Sequence, residues 1–267
     1  MFIQKLEQAQ SNNNSLVCVG LDPNQEKIAP LGVDLITWLK GIVDATAAHV
    51  CAFKPQIAYF SALQAESELT EIINYIHHKY PNVPVILDAK RGDIGSTAEQ
   101  YAKEAFERYQ ADAVTVNPYM GGDTIEPYSS QADKGVVVLC KTSNAGSGEL
   151  QNLKLDNGRT LFQEVAHKAT TSWNTNNNIL LVVGATYPEE LAQIRQTVGD
   201  MPLLIPGIGA QGGDVKATLN AGLRSDGKGL IISSSRGIIF AGKDKDNYAA
   251  AAEQACIELK NLVNQFR

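Results

Sequence analysis

Short apolar runs alternate with longer amphipathic stretches along the chain. Eight runs have strand character: 16–21, 50–54, 85–90, 113–117, 135–141, 179–184, 203–207 and 229–234. Several, such as Val136-Val137-Val138-Leu139 and Leu180-Leu181-Val182-Val183, are continuously apolar. That pattern belongs to parallel strands covered on both faces, because a strand with one wet face keeps a polar residue at every second position. Between the runs, helices are predicted over 34–46, 66–79, 97–109, 160–173, 189–198 and 215–221, with a closing helix over 246–264 and short helical turns over 119–130. Eight such units can close and leave no edge strand. The expected fold is therefore an α/β (β/α)8 barrel, with residues 1–267 forming one domain. An open doubly wound sheet is the structural alternative. Its glycine-rich pyrophosphate turn would follow the first strand, where this chain has Gly20-Leu21-Asp22-Pro23 and places an acid instead.

Polar residues crowd one end of the runs. Asp22, Lys54, Asp88, Lys90, Asn117, Lys141 and Arg236 all stand at or just after the end of an apolar stretch. In a barrel this is the C-terminal mouth, where catalytic groups are housed. Solvated strand ends are the plainer explanation, but strands commonly stop at turn formers, not repeatedly at lysine and aspartate. The stretch 142–159 is rich in Ser, Asn and Gly without a sustained period, which marks a long loop after the fifth strand. On the mouth face such a loop can act as a lid; otherwise it is an ordinary surface insertion.

Composition narrows the partners. The 23 basic and 29 acidic residues leave a formal charge of -6, which gives no support to nucleic acid as the main partner. No apolar run reaches transmembrane length and the first residues hold no continuous signal-type stretch, so a cytoplasmic protein without a membrane partner is expected. Cys18, Cys51, Cys140 and Cys256 are widely separated and read as packed thiols. His49, His77, His78 and His167 fall in or beside predicted helices without ligand spacing, so no metal and no cofactor is expected. No Gly-x-Ser-x-Gly elbow is present. Tyr59, Phe60, Tyr101 and Phe106 have the spacing of residues packed on the barrel, while Tyr119 and Tyr187 follow strand ends and can line a pocket or cap the core.

The densest polar cluster is Asp88-Ala89-Lys90-Arg91-Gly92-Asp93-Ile94-Gly95-Ser96-Thr97. Asp88 and Lys90 are two apart on a predicted strand and so share a face. Asp93 lies in the turn beyond and can be delivered from another direction. With Lys54 these residues can form an alternating row of ammonium and carboxylate groups, each keeping its neighbour ionised in a partly dry site. A structural ion network is the competing reading, though a buried network is weak evidence for stability. Farther on, Pro206-Gly207-Ile208-Gly209-Ala210-Gln211-Gly212-Gly213-Asp214 and Ser233-Ser234-Ser235-Arg236-Gly237 are compact turns entering helices. Paired turns after the last two strands form the usual phosphate grip of a barrel, with Arg236 adding charge and directed donors.

Asp88-x-Lys90-x-x-Asp93-Ile94-x-x-Thr97 resembles the catalytic signature of the orotidine 5'-phosphate decarboxylases. The resemblance extends over nearly the whole chain, through Leu21-Asp22-Pro23, Phe53-Lys54-Pro55-Gln56, Asn117-Pro118-Tyr119, Thr142-Ser143-Asn144, Pro206 to Gln211 and Ser235-Arg236-Gly237. It is nearest to the longer bacterial subfamily (type 2). The resemblance implies decarboxylation of orotidine 5'-monophosphate to UMP, without a metal, in pyrimidine biosynthesis. Lys54, Asp88, Lys90 and Asp93 would be the charged row, with Lys90 stabilising the carbanion and protonating it. Asp22 and Lys54 would lie near the ribose hydroxyls, and Ser143, with Asn144 beside it, near the pyrimidine. Gln211 would bridge base and phosphate, while Gly209 and Arg236 would hold the phosphate. Asp93 and Thr97 would be contributed across a homodimer interface. Two other functions remain open on the residues: a sugar-phosphate aldolase or lyase on the same barrel, and a non-catalytic nucleotide-binding barrel. An aldolase needs a neutral lysine, which adjacent acids disfavour; a mere binder leaves the charged row without a purpose.

Overall fold

The computed structural model describes residues 1–208 and 214–267. Its eight strands are β1 (Val17–Leu21), β2 (Ala52–Pro55), β3 (Ile86–Arg91), β4 (Ala113–Val116), β5 (Gly135–Lys141), β6 (Ile179–Val183), β7 (Leu203–Pro206) and β8 (Leu230–Ser234). All pair in parallel, in the order β2-β1-β8-β7-β6-β5-β4-β3. The two ends of that order meet through the bridges Phe53–Val85 and Gln56–Asp88, which close the sheet into a barrel. The continuously apolar runs lie where their pattern requires: β1, β2, β4 and β6 are buried at every residue, between the barrel interior and the surrounding helices.

The helices Leu35–Thr46, Glu66–Lys79, Leu161–Thr171, Pro188–Val198, Val215–Gly222 and Tyr248–Asn264 match the predicted periods. Leu69, Ile72, Ile73 and Ile76 show the rule, turning one face of their helix to the sheet. The fourth crossover consists of the short turns Pro118–Met120, Gly122–Thr124 and Glu126–Ser129. The helix expected over 97–109 instead begins at Gly95 and widens after Lys103 into a π turn, Glu104–Arg108. That wide turn holds Glu104 against the Arg91 guanidinium at 2.8 and 3.0 Å, beside the end of β3.

A helix not expected from the strand pattern, Phe2–Asn12, closes the bottom of the barrel. Phe2, Leu6 and Ala9 recur at helical spacing and are buried. Phe2 and Leu6 join Cys18, Ile86, Ala113 and Val137 in the barrel interior. Gly135 makes room for the plug, since a Cβ there would collide with the Phe2 ring and stand 2.8 Å from the Ala113 Cβ. All four cysteines are buried and free, and burial pushes the Cys18 thiol up to about 12, so it packs as a neutral group. No helix among the described residues is long and apolar enough to cross a membrane. The apolar plug leaves the opposite end of the strands as the place for polar chemistry. Truncating Leu6 to alanine should cost about 2–5 kcal/mol, read as a lowered denaturation midpoint in urea with an unchanged slope.

Candidate active site

Strands β2, β3 and β4 bring four charged or polar side chains to one point at the mouth. The Lys54 ammonium donates to Asp88 Oδ2 at 2.8 Å, and the Lys90 ammonium donates to Asp88 Oδ1 at 2.6 Å. Thr115 donates its hydroxyl to Asp88 Oδ1 at 2.9 Å. Lys54 is only 7% exposed and Asp88 is buried, whereas the Lys90 side chain is 45% exposed and faces the opening. Lys54, Asp88, Lys90 and Thr115 line a cavity of about 410 Å³, with Ser143 and Asn144 on its wall.

The electrostatics follow from this sharing. Burial opposes the charge on Lys54, but Asp88 and Asp22 outweigh it and hold the ammonium above the ordinary lysine range. Burial likewise opposes ionisation of Asp88, yet attraction to Lys54 and Lys90 holds it well below the usual carboxylate range. The stability due to Asp88 is complete above the ordinary carboxylate pKa of about 3.9 and fades as pH falls through the depressed value. That due to Lys54 is complete below about 10.4 and fades as pH rises through the elevated value. The pair is therefore ionised throughout the neutral range.

Simple strand alternation does not account for how Lys90 reaches Asp88. The pairing of β3 with β4 shifts register between Leu87 and Arg91, and Lys90 has φ +49°. A left-handed lysine is uncommon and needs a local reason. Thr115 supplies one, because its Oγ1 accepts the backbone N–H of both Ala89 and Lys90 at 2.9 Å. The bulge thus re-aims Lys90, and the residue that holds it is one that sequence reasoning passed over. Its only signal was a hydroxyl inside the apolar run Ala113-Val114-Thr115-Val116.

A second cleft meets this cavity at Lys54 and Pro206 and is lined by Asp22, Ser235 and Arg236. Among the described residues, Asp22 Oδ1 and Ser235 Oγ are buried there without a hydrogen-bond partner. Buried polar atoms are rarely left unpaired in a native protein, so this wall is suited to a hydroxyl-bearing or anionic ligand. Tyr59, expected to pack against the barrel with Phe60, lines this cleft instead, while Phe60 is buried as expected. Gly209 and Gln211 lie outside the described residues.

The remaining expected residues are dispersed. Asp93 accepts its own neighbour's N–H, from Ile94, at 2.8 Å, and within one chain it does not join the other three members of the row. Thr97 is exposed on the same rim. Asn117 accepts the Tyr119 N–H and so shapes a turn, and Tyr119 is 81% exposed instead of lining the cavity. Lys141 is buried under the loop that follows β5, away from Asp88. That loop is well laced: Thr142 N–H donates to Gln151 Oε1, and Gln151 Nε2 donates back to the Thr142 hydroxyl. Asn144 accepts from the Thr142 hydroxyl at 2.7 Å.

A closed parallel barrel with a lysine-bearing, ion-paired mouth defines a barrel enzyme for a small polar substrate. The chain belongs to the orotidine 5'-phosphate decarboxylase / HUMPS family, whose profile matches residues 15–252. A relative named orotidine 5'-phosphate decarboxylase, from Ralstonia pickettii (strain 12J), is 57% identical over 270 residues, covering 100% of this chain and 99% of the relative. One of the same name from Cellvibrio japonicus (strain Ueda107) is 55% identical over 272 residues, with 100% and 99% covered. Among solved structures, the OMP decarboxylase of Leishmania donovani superposes with a TM-score of 0.87 at 40% identity, covering 99% of this chain and 98% of that one.

Replacing Thr115 with valine removes the acceptor of two backbone N–H groups and a donor to Asp88. Unfolding in urea should show a loss of about 1–3 kcal/mol, and activity should fall with it as Lys90 loses its fixed aim.

Proposed function

We propose that the enzyme decarboxylates orotidine 5'-monophosphate to UMP by electrostatic stabilisation of a carbanion at C6, which Lys90 then protonates. The reaction itself follows from the family and from full-length relatives of that name. The observation that carries the mechanism is the Asp88 carboxylate shared between a buried and an open ammonium. When the bond from C6 to the carboxylate breaks, its electron pair stays in an in-plane orbital at C6 and carbon dioxide departs. An ammonium already held in place stabilises that charge without reorganising, and transfers a proton from Nζ to C6. Lys90 then regains its proton from solvent. Lys54 keeps Asp88 ionised and, with Asp22, faces the ribose. Ser143 and Asn144 would face the base and Arg236 the phosphate.

One ion pair cannot supply the whole effect. At an effective dielectric of about 20 it contributes about 4 kcal/mol at contact, against the roughly 8–23 kcal/mol by which enzymes lower barriers. The remainder requires binding energy from the phosphate and ribose, expressed in positioning C6 against Lys90. A Schiff-base aldolase is disfavoured because both lysines are engaged in ion pairs with Asp88.

A cytoplasmic homodimer is part of this reading, with Asp93 and Thr97 completing the partner's site. Asp93 is turned to the rim, and Ile94, Tyr119 and Met120 around it are 60%, 81% and 42% exposed, an apolar surface suited to a second copy. Four free, buried thiols fit a reducing compartment.

Incubation with orotidine 5'-monophosphate in the presence of EDTA should deplete substrate absorbance and yield UMP, and Lys90→Ala should slow turnover at least about a hundredfold while leaving the fold intact. Near-normal turnover by that variant would remove Lys90 from its role. Equal mixing of Asp93→Ala and Lys90→Ala chains should restore about a quarter of wild-type activity, since half the dimers are hybrids with one intact site of two. No recovery despite hybrid formation would place Asp93 within its own chain's site.

A further inference from the structure

Lys141 is 1% exposed, and among the described residues no carboxylate stands within ion-pairing distance of it. A buried ammonium with only neutral partners is rare, because desolvation strongly disfavours it. What surrounds it is the loop after β5 and the loop after β6. Its Nζ donates to Asn152 Oδ1 at 2.9 Å and, more weakly, to Ser147 Oγ at 3.4 Å. The ring of Tyr187 lies 4.6 Å from it and that of Phe162 at 5.7 Å, so aromatic faces supply the rest of its stabilisation.

These contacts join the two loops that flank the base end of the cavity. Ser143 is pressed against Gly184 at the end of β6, where a Cβ would stand 2.8 Å from the Ser143 Cβ and 2.9 Å from its backbone N. The Ser143 backbone therefore has one narrow seat, and Lys141 pulls the far side of the same loop down through Asn152. We infer that Lys141 is a positioning residue for pyrimidine binding: its ammonium seats the 142–152 loop on the β6 loop and sets where Ser143 and Asn144 stand. The inference rests on the decarboxylase reading above, in which that end of the cavity receives the base.

The phosphate end is built by other elements, so the two ends can be measured separately. Titration calorimetry with UMP and with ribose 5-phosphate, which lacks the base, compares them on one protein. Lys141→Met keeps length and apolar bulk but removes the charge, and Asn152→Ala removes the loop's acceptor at an exposed position where folding is not at risk. Each should weaken UMP about tenfold or more, equivalent to about 1.4 kcal/mol, and leave ribose 5-phosphate within about twofold. General damage to the fold would weaken both ligands together, and that result overturns the inference. So does UMP affinity within about twofold of wild type in Asn152→Ala, even if Lys141→Met fails to fold. Wild-type protein that neither binds UMP nor consumes orotidine 5'-monophosphate would instead defeat the decarboxylase reading itself.

Discussion

The mouth of this barrel is organised by a carboxylate that two ammonium groups divide between them. Asp88 gives one oxygen to Lys54 and the other to Lys90 and Thr115. Each partner makes the others tolerable. Lys54 can be buried because Asp88 meets it, and Asp88 stays charged because both lysines face it. A buried pair alone would be a poor source of stability. Here the third member is left open to the cavity, where a fixed positive charge can act on a substrate.

The rest of the fold keeps this arrangement in one place. An apolar plug, Phe2 with Leu6, closes the bottom of the barrel and meets the small side chains at the strand beginnings. Polar groups gather at the other end, where strand carboxyl termini and loops meet water. The β3 bulge is the device that converts a regular strand into a mounting for Lys90, and it depends on a hydroxyl from the neighbouring β4. Such bulges re-aim side chains beside functional sites. On the far wall, the laced loop after β5 and the glycine at the end of β6 hold Ser143 and Asn144 much as the bulge holds Lys90.

Much of this was legible along the chain. Lysine and aspartate at the ends of apolar runs stand out because strands buried on both faces exclude ionisable groups, so Lys54, Asp88 and Lys90 declared themselves as a set. Thr115 did not, since a threonine is an ordinary strand residue and its two backbone partners belong to another strand. Tyr59, read as packed against the barrel, instead lines the cleft, because helical spacing reports which face a residue shares and is blind to where its helix sits. Lys141 drew notice as one more mouth residue, yet it turns under a loop whose path no local pattern specifies.

Hydrophobic periodicity by itself determined the eight strands, their parallel covering and hence the barrel, because burial on both faces leaves a direct imprint on residue order. Only the tertiary structure decided which charges touch, how β3 breaks register to aim Lys90, and that Asp93 stands apart from its own chain's trio. Those outcomes depend on distances between residues far apart in sequence and on backbone hydrogen bonds, and neither leaves a periodic trace in the chain.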